Sequence, residues 1–357
     1  MSALQLDEKP ARSRIFETIR SQYGLVFAWL IVIVLATIAT PQTFLNPSTL
    51  SGILGSQAVL LFLSLGVLFP LSAGDYDLSI GGTLSATSIV LAILNVQLHV
   101  NIGIAIVIAL LLGAAIGAIN GLLVVVFDID SFIVTLGMAT ILGGISVWVS
   151  NSSTITGVSA ALTYWTFETV VFSIPLTFYY GIAGTALVVF ILGYTTFGRR
   201  LLYIGRGREV ARLNGVSVGS SRLIAFVISG VAAALAGLLY VGTTGSASPS
   251  LGNSYLLPAY AAAFIGATAI IPGRFNGLGT LVAVYFLGTG ITAITLLGAD
   301  SYVQSLFYGG AVIIAVISSR VAPRNGLAAK FRTRWQSRAS GAKLSVDEKS
   351  RTGVISE

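Results

Sequence analysis

Between Arg20 and Arg199 the chain contains not one lysine or arginine. A stretch of that length without cations cannot present an ordinary water-facing surface, and the rest of the composition agrees. Of 357 residues, 55% are hydrophobic and 9% charged, whereas soluble domains carry about 25% charged residues. The mean hydropathy is +0.90. So few polar groups place the chain in a membrane. Cysteine is absent, which excludes a disulfide-built secreted fold and any thiol or zinc–cysteine site.

The positive charge falls in four places. Lys9, Arg12, Arg14 and Arg20 open the chain, and Arg199, Arg200, Arg206, Arg208, Arg212 and Arg222 crowd one loop. Arg274 stands alone, and the remaining basic residues run from Arg320 to Arg351. Basic residues gather in cytoplasmic loops beside spans, where anionic lipid headgroups also attract them. The N-terminus, the 195–222 loop and the C-terminus are therefore expected on the cytoplasmic side, with membrane lipid as a partner. On this reading the net charge of +7 marks topology and implies no nucleic acid. The N-terminal segment carries Asp7, Glu8 and Glu17 and no small-residue cleavage pattern, unlike a cleavable signal.

A bilayer core needs about 20 apolar helical residues per crossing. Ten stretches qualify, at roughly 24–40, 50–73, 79–95, 103–127, 131–149, 172–194, 222–244, 256–272, 278–297 and 302–319. Six precede the basic loop and four follow it, so all the basic regions return to one side. The stretches 131–149 and 256–272 are short and also fit half-helices that enter without crossing. The expected fold is an all-α polytopic membrane protein of about ten transmembrane helices. A tail at 1–22 leads into a membrane domain at 23–320 that contains the 195–222 loop, and a basic tail follows at 321–357. Gly113, Gly117 and Gly121 recur every four residues, which aligns them on one helix face for close backbone packing. Asn120 beside them fits either an interhelical hydrogen bond or a pathway.

Much chemistry is excluded. The lone histidine, His99, cannot build a metal site, and no G-x-x-x-x-G-K-[ST] loop exists for ATP. No G-x-S-x-G elbow has a usable base. The pairs Asp75/Asp77 and Asp128/Asp130 each form D-x-D. Such a pair holds a metal bound to a nucleotide-sugar in some glycosyltransferases. It also serves simply to cap helix starts, and no basic residue lies near either pair in sequence to hold a diphosphate. No catalytic residue, metal or cofactor is therefore assigned. Every acidic residue falls at a span edge or in a loop, whereas ion-driven transporters keep ionisable groups at mid-membrane. A transporter of this composition needs an external energy source.

Three stretches carry a resemblance. Gly74-Asp75-Tyr76-Asp77-Leu78-Ser79-Ile80-Gly81 resembles the G-G-I-D-L-S-V-G segment of monosaccharide ABC-importer permeases of the ribose, xylose and arabinose type. Ser131-Phe132-Ile133-Val134-Thr135-Leu136-Gly137-Met138 is similar to that family's P-F-I-A-T-L-G-M. Thr196-Phe197-Gly198-Arg199-Arg200 through Gly215-Val216-Ser217-Val218 resembles its cytoplasmic loop. The chain departs from the pattern in reading D-Y-D for G-I-D, Ser131 for proline, Glu209-Val210-Ala211-Arg212 for E-A-A-R, and Gly205-Arg206-Gly207-Arg208 for Gly-Asn.

The resemblance implies a permease of cobalamin-importer-like architecture in the bacterial inner membrane. It works as a homodimer or pseudo-dimer, with an ATPase of two nucleotide-binding domains on the cytoplasmic face and an extracytoplasmic sugar-binding protein. Asp75, Asp77, Ser79, Asn120 and Thr135 are candidate pathway residues. Arg208, Glu209, Val210, Ala211, Arg212, Leu213 and Gly215 are candidates for ATPase coupling. The residues themselves support that assignment, because 208–213 can form a short helix with Glu209 and Arg212 at i, i+3 and Gly215 as its stop. On this reading Ala211 enters a partner groove. A branched-chain amino-acid permease and a D-x-D membrane glycosyltransferase are the alternatives. Trp148, Tyr164 and Trp165 fit sugar stacking or interface anchoring.

The absence of native cysteine makes the orientation directly testable. Single cysteines at Ser337 or Ser220 should react only from the cytoplasmic side, and ones at Asn101 or Ser250 with an impermeant reagent from outside. Outside labelling at Ser220 would overturn the orientation.

Overall fold

The computed structural model describes residues 11–321, Thr169 excepted. Residues 1–10 of the expected N-terminal tail and 322–357 of the basic C-terminal tail lie outside the described residues. Helices α1 (Ala11–Ala39), α2 (Pro47–Ser56), α3 (Ala58–Ser72), α4 (Ile80–Ala92), α5 (Ile102–Val126) and α6 (Ser131–Val149) come first. A short α7 (Ala160–Thr163) leads to α8 (Leu176–Tyr194), α9 (Thr196–Arg206) and α10 (Arg208–Leu213). The chain then forms α11 (Val218–Thr244), α12 (Leu251–Gly266), α13 (Gly277–Leu296) and α14 (Ser301–Val321). Four two-residue strands pair antiparallel in the connections, β1 (Ile155–Thr156) with β4 (Ser246–Ala247) and β2 (Val170–Val171) with β3 (Ile174–Pro175).

Local chemistry starts and breaks these helices. Asn46 accepts from the Ser48 N–H, and Pro47 occupies the first position of α2, where its missing donor costs nothing. The stretch expected at 50–73 is two helices broken at Gln57. Asn101 caps α5 by accepting from the Gly103 N–H, and Asp130 caps α6 by accepting from the Phe132 N–H. The capping reading of the second D-x-D pair therefore holds for Asp130. Helices α3 and α4 are buried all round and form the middle of the bundle with α11, α12 and α13. Leu61, Leu63, Leu68, Ile80, Leu84 and Leu287 are fully enclosed there.

Among the described residues, eight helical stretches are long and apolar enough to cross a membrane. They include Ser131–Val149, one of the two short stretches. Of the other two expected spans, one differs in its bounds. The span at 256–272 is α12, which starts earlier and spans 16 residues to Gly266. The apolar run continues past that point, but Ile270 at φ 61° and Gly273 at φ 82° turn the backbone out of the helix. The last expected span, 302–319, lies inside α14, of which Ser301–Ile314 is an apolar helix.

Helix α5 packs on α11 backbone to backbone. A Cβ on Gly113 would strike the Gly230 carbonyl, and one on Gly230 would strike the Gly113 carbonyl. A Cβ on Gly117 would run into the Phe226 carbonyl, and one on Gly121 would lie 3.0 Å from the Leu223 Cα. Gly117→Ala should therefore destabilise the purified protein by about 1–3 kcal/mol, the usual cost of overpacking, read as a lower thermal midpoint in detergent. Gly144→Ala, where an added Cβ meets nothing within 4 Å, should be neutral or stabilising by up to about 1 kcal/mol through helix propensity.

Candidate functional site

Between α3 and α4 the chain makes a turn, and its first residue after the helix cap is Gly74 at φ 78°, a backbone state that favours glycine. Its Asp75, Asp77 and Ser79 are enclosed, while Gly74 and Tyr76 are exposed. Its residues are bonded outward to five helices.

Asp75 is 1% exposed. Its Oδ2 accepts from Arg222 Nε at 2.7 Å, and its Oδ1 accepts from Arg222 Nη2 at 2.8 Å and from Arg208 Nη2 at 2.7 Å. Arg222 lies in the second turn of α11, and Arg208 is the first residue of α10. Next along the turn, the Tyr76 N–H donates to Ser131 Oγ at 3.1 Å, and the Leu78 N–H donates to Thr135 Oγ1 at 3.0 Å, both on α6. The Asp77 N–H donates to the Tyr260 hydroxyl on α12 at 2.9 Å. The Asp77 carboxylate accepts from the Ser79 N–H and from Ser79 Oγ, at 3.1 and 2.6 Å. Asn120 Nδ2 on α5 donates to Ser79 Oγ at 2.8 Å. Burial pushes the Asp77 carboxyl above the usual carboxylate range, with the Ser79 hydroxyl pulling the other way. Tyr76 reaches the surface while stacking on Tyr260, ring centroids 6.4 Å apart. Among the described residues, buried Asn120 Oδ1, Thr83 Oγ1 and Ser88 Oγ have no hydrogen-bond partner, and such atoms are few in a folded chain.

On the far side of Arg208, α10 presents two faces. Ala211 is buried against the core cluster, whereas Val210 and Leu213 are 65% and 78% exposed. Arg212 pairs with Glu209 at 2.9 Å in the open, where an ion pair contributes little. The helix ends in a Schellman arrangement, with Val216 N–H donating to the Ala211 carbonyl and Gly215 N–H to the Arg212 carbonyl, at 3.1 and 3.0 Å. Gly215 stands at φ 77°, the left-handed state that this stop requires.

The family described as branched-chain amino acid transport system / permease component matches residues 49–317. The chain belongs to this permease family. It is 30% identical over 306 residues to the ribose import permease protein of Bacillus subtilis (strain 168), covering 85% of this chain and 94% of the relative. It is 28% identical over 300 residues to the D-allose transport system permease protein of Escherichia coli (strain K12), with 84% and 92% covered. The L-arabinose transport system permease protein of the same organism is 29% identical over 317 residues, with 87% and 94% covered. No solved structure matches the chain.

The candidate pathway residues of this permease, Asp75, Asp77, Ser79, Asn120 and Thr135, thus share one network, and none of them lines an open cavity surface. Two readings change. The first D-x-D pair has no basic neighbour in sequence, yet the fold brings Arg208 and Arg222 onto Asp75, from 133 and 147 residues away. Ala211 faces the permease's own core instead of a partner groove, because the apolar side of α10 that covers the bundle runs through that residue. Arg222, Ser131 and Tyr260 are the partners that sequence reading missed. Arg222 counted there only as a topology charge, and no local signal in the sequence links it to Asp75.

Removing one partner of a buried ion pair strands the other charge and costs about 3–5 kcal/mol. Arg222→Met should therefore lower the thermal midpoint of the purified permease sharply. Pairing it with Asp75→Leu should recover most of the loss, since well-packed apolar replacements of a buried pair are often neutral.

Proposed function

We propose that this permease is the membrane subunit of an ATP-driven importer that carries a monosaccharide or related small polar solute. An extracytoplasmic binding protein delivers the solute, two permease copies form the pathway, and both termini and the 195–222 loop face the cytoplasm of a bacterial inner membrane. Its relatives by name import ribose, allose and arabinose, which favours sugar over the branched-chain amino acids of the family description. A nucleotide-sugar metal site at Asp75 is disfavoured, because that carboxylate is already taken up by two guanidiniums.

The observation that carries the ATPase reading is the outward face of α10. Val210 and Leu213 stand in the open on a loop that is otherwise rich in arginine. Exposed apolar side chains rimmed by charge mark a docking surface. Beside them lie Glu209 and Arg212, whose exposed ion pair supplies a polar edge. The partner is an ATPase subunit with tandem nucleotide-binding domains, which takes α10 into a groove by its apolar side chains. Rigid-body displacement of that helix then carries the work of hydrolysis into the bundle.

Leu213→Asp, and Val210→Asp in parallel, should insert at normal abundance, because both side chains lie outside the membrane-crossing stretches. Each should reduce retention of the co-expressed ATPase subunit at least about tenfold, the loss of one well-packed apolar contact. Arg199→Gln, on α9, should have the milder effect. Undiminished retention in both aspartate variants would place the ATPase elsewhere and leave the loop only a role in topology.

A further inference from the structure

We propose that Asp75 is a positioning residue for transport: through Arg208 it fastens α10 to the 74–79 turn, so that displacement of α10 moves that turn. This rests on the reading of α10 as the helix on which the ATPase docks.

The two arginines on Asp75 are unequal. Arg222 is held inside the bundle, with its side chain 8% exposed, and it engages both carboxylate oxygens. Arg208 lies at the water boundary, with its side chain 45% exposed, and it adds a single bond to Oδ1. The same Arg208 nitrogen donates to the Gly74 carbonyl at 3.1 Å. Arg222 therefore neutralises and fixes the carboxylate, while Arg208 is the part that belongs to the mobile helix. A helix of six residues has little stability of its own and follows whatever holds it. Besides its packing on α9 and α11, α10 is held by buried Ala211 and by the bonds of Arg208 to Asp75 and to the Gly74 carbonyl.

Beyond Asp75 the turn spreads quickly. Its next residue is bonded to α6, the one after to α12, and Ser79 to α5. A shift at Asp75 therefore reaches three spans within four residues of chain. Both members of the tie are also departures from the motif that this chain resembles. Asp75 opens the D-Y-D that replaces G-I-D, and Arg208 closes the Gly205-Arg206-Gly207-Arg208 that replaces Gly-Asn. Two separate departures, 133 residues apart, meet in one ion pair.

The test uses the full chain co-assembled with its ATPase subunit and carrying a single cysteine in place of Tyr76, which is exposed at the centre of the turn. The probe is ATP with orthovanadate, and the readout is the rate at which the cysteine reacts with a maleimide. Arg208→Gln is preferred to an Asp75 substitution, because it leaves the buried Arg222 pair intact. In the Arg208-containing chain, ATP with vanadate should change the labelling rate. In Arg208→Gln the ATPase should still co-purify, but the change should shrink about tenfold, the worth of one charge-assisted hydrogen bond. Arg208→Lys should restore most of it. An undiminished response in Arg208→Gln overturns the proposal, as does the absence of any response in the starting chain. Loss of the ATPase from Arg208→Gln also overturns it, by making Arg208 part of the docking face. Failure of the docking reading itself shows separately, as retention of the ATPase by the Val210 and Leu213 aspartate variants.

Discussion

A carboxylate shut away from water must be met by donors that the protein supplies, and Asp75 is met by three. That demand draws the first residue of α10 and the second turn of α11 to the end of α3. Without it, α10 would rest on the bundle through Ala211 and its chain connections. With it, the 195–222 loop and the polar turn share one atom, Asp75 Oδ1. The position of the turn in turn settles the entry of α4, whose hydroxyl-rich sequence is enclosed along nearly its whole length.

Polar side chains elsewhere in the spans are handled differently. Ser64, Thr87, Ser146, Thr185 and Ser221 each donate to the carbonyl four residues earlier on their own helix. Such back-bonding satisfies a hydroxyl without a partner on another helix, as an apolar surrounding requires. Bonds that cross between helices are consequently concentrated where geometry has to be held, and the 74–79 turn is the densest of these places. Hydroxyls bonded within their own helix leave neighbouring helices free of polar attachment.

The parts of this arrangement that were legible in the sequence are those with a local signal. Apolar runs mark the spans, the four-residue glycine spacing marks one face of α5, and the segment from Arg208 to Gly215 carries a helix and its stop within eight residues. Asp75, Asp77, Ser79 and Thr135 were singled out through short motifs. What was illegible depends on the third dimension. No pattern near Asp75 announces Arg222, because the contact is made by packing α11 against α3 and α4. The face that Ala211 presents was also beyond reach, since six residues are too few for a period to define a side. The displaced ends of α12 have a similar cause: hydropathy runs on through Ala269–Ile271, while the backbone at Ile270 and Gly273 has already left the helix.

The glycine contact between α5 and α11 has a mechanical consequence. Where the two backbones meet at Gly113 and Gly230, and again at Gly117 and Phe226, no side chain separates them, and a Cβ added to any of these glycines would strike backbone. The pair behaves as one beam. Arg222 sits near one end of it and Asn120 on its other strand, so both attachments of the polar turn to this beam move together. On the proposal that displacement of α10 reaches Asp75, the same close-packed pair receives it twice, through Arg222 on α11 and through Asn120 on α5.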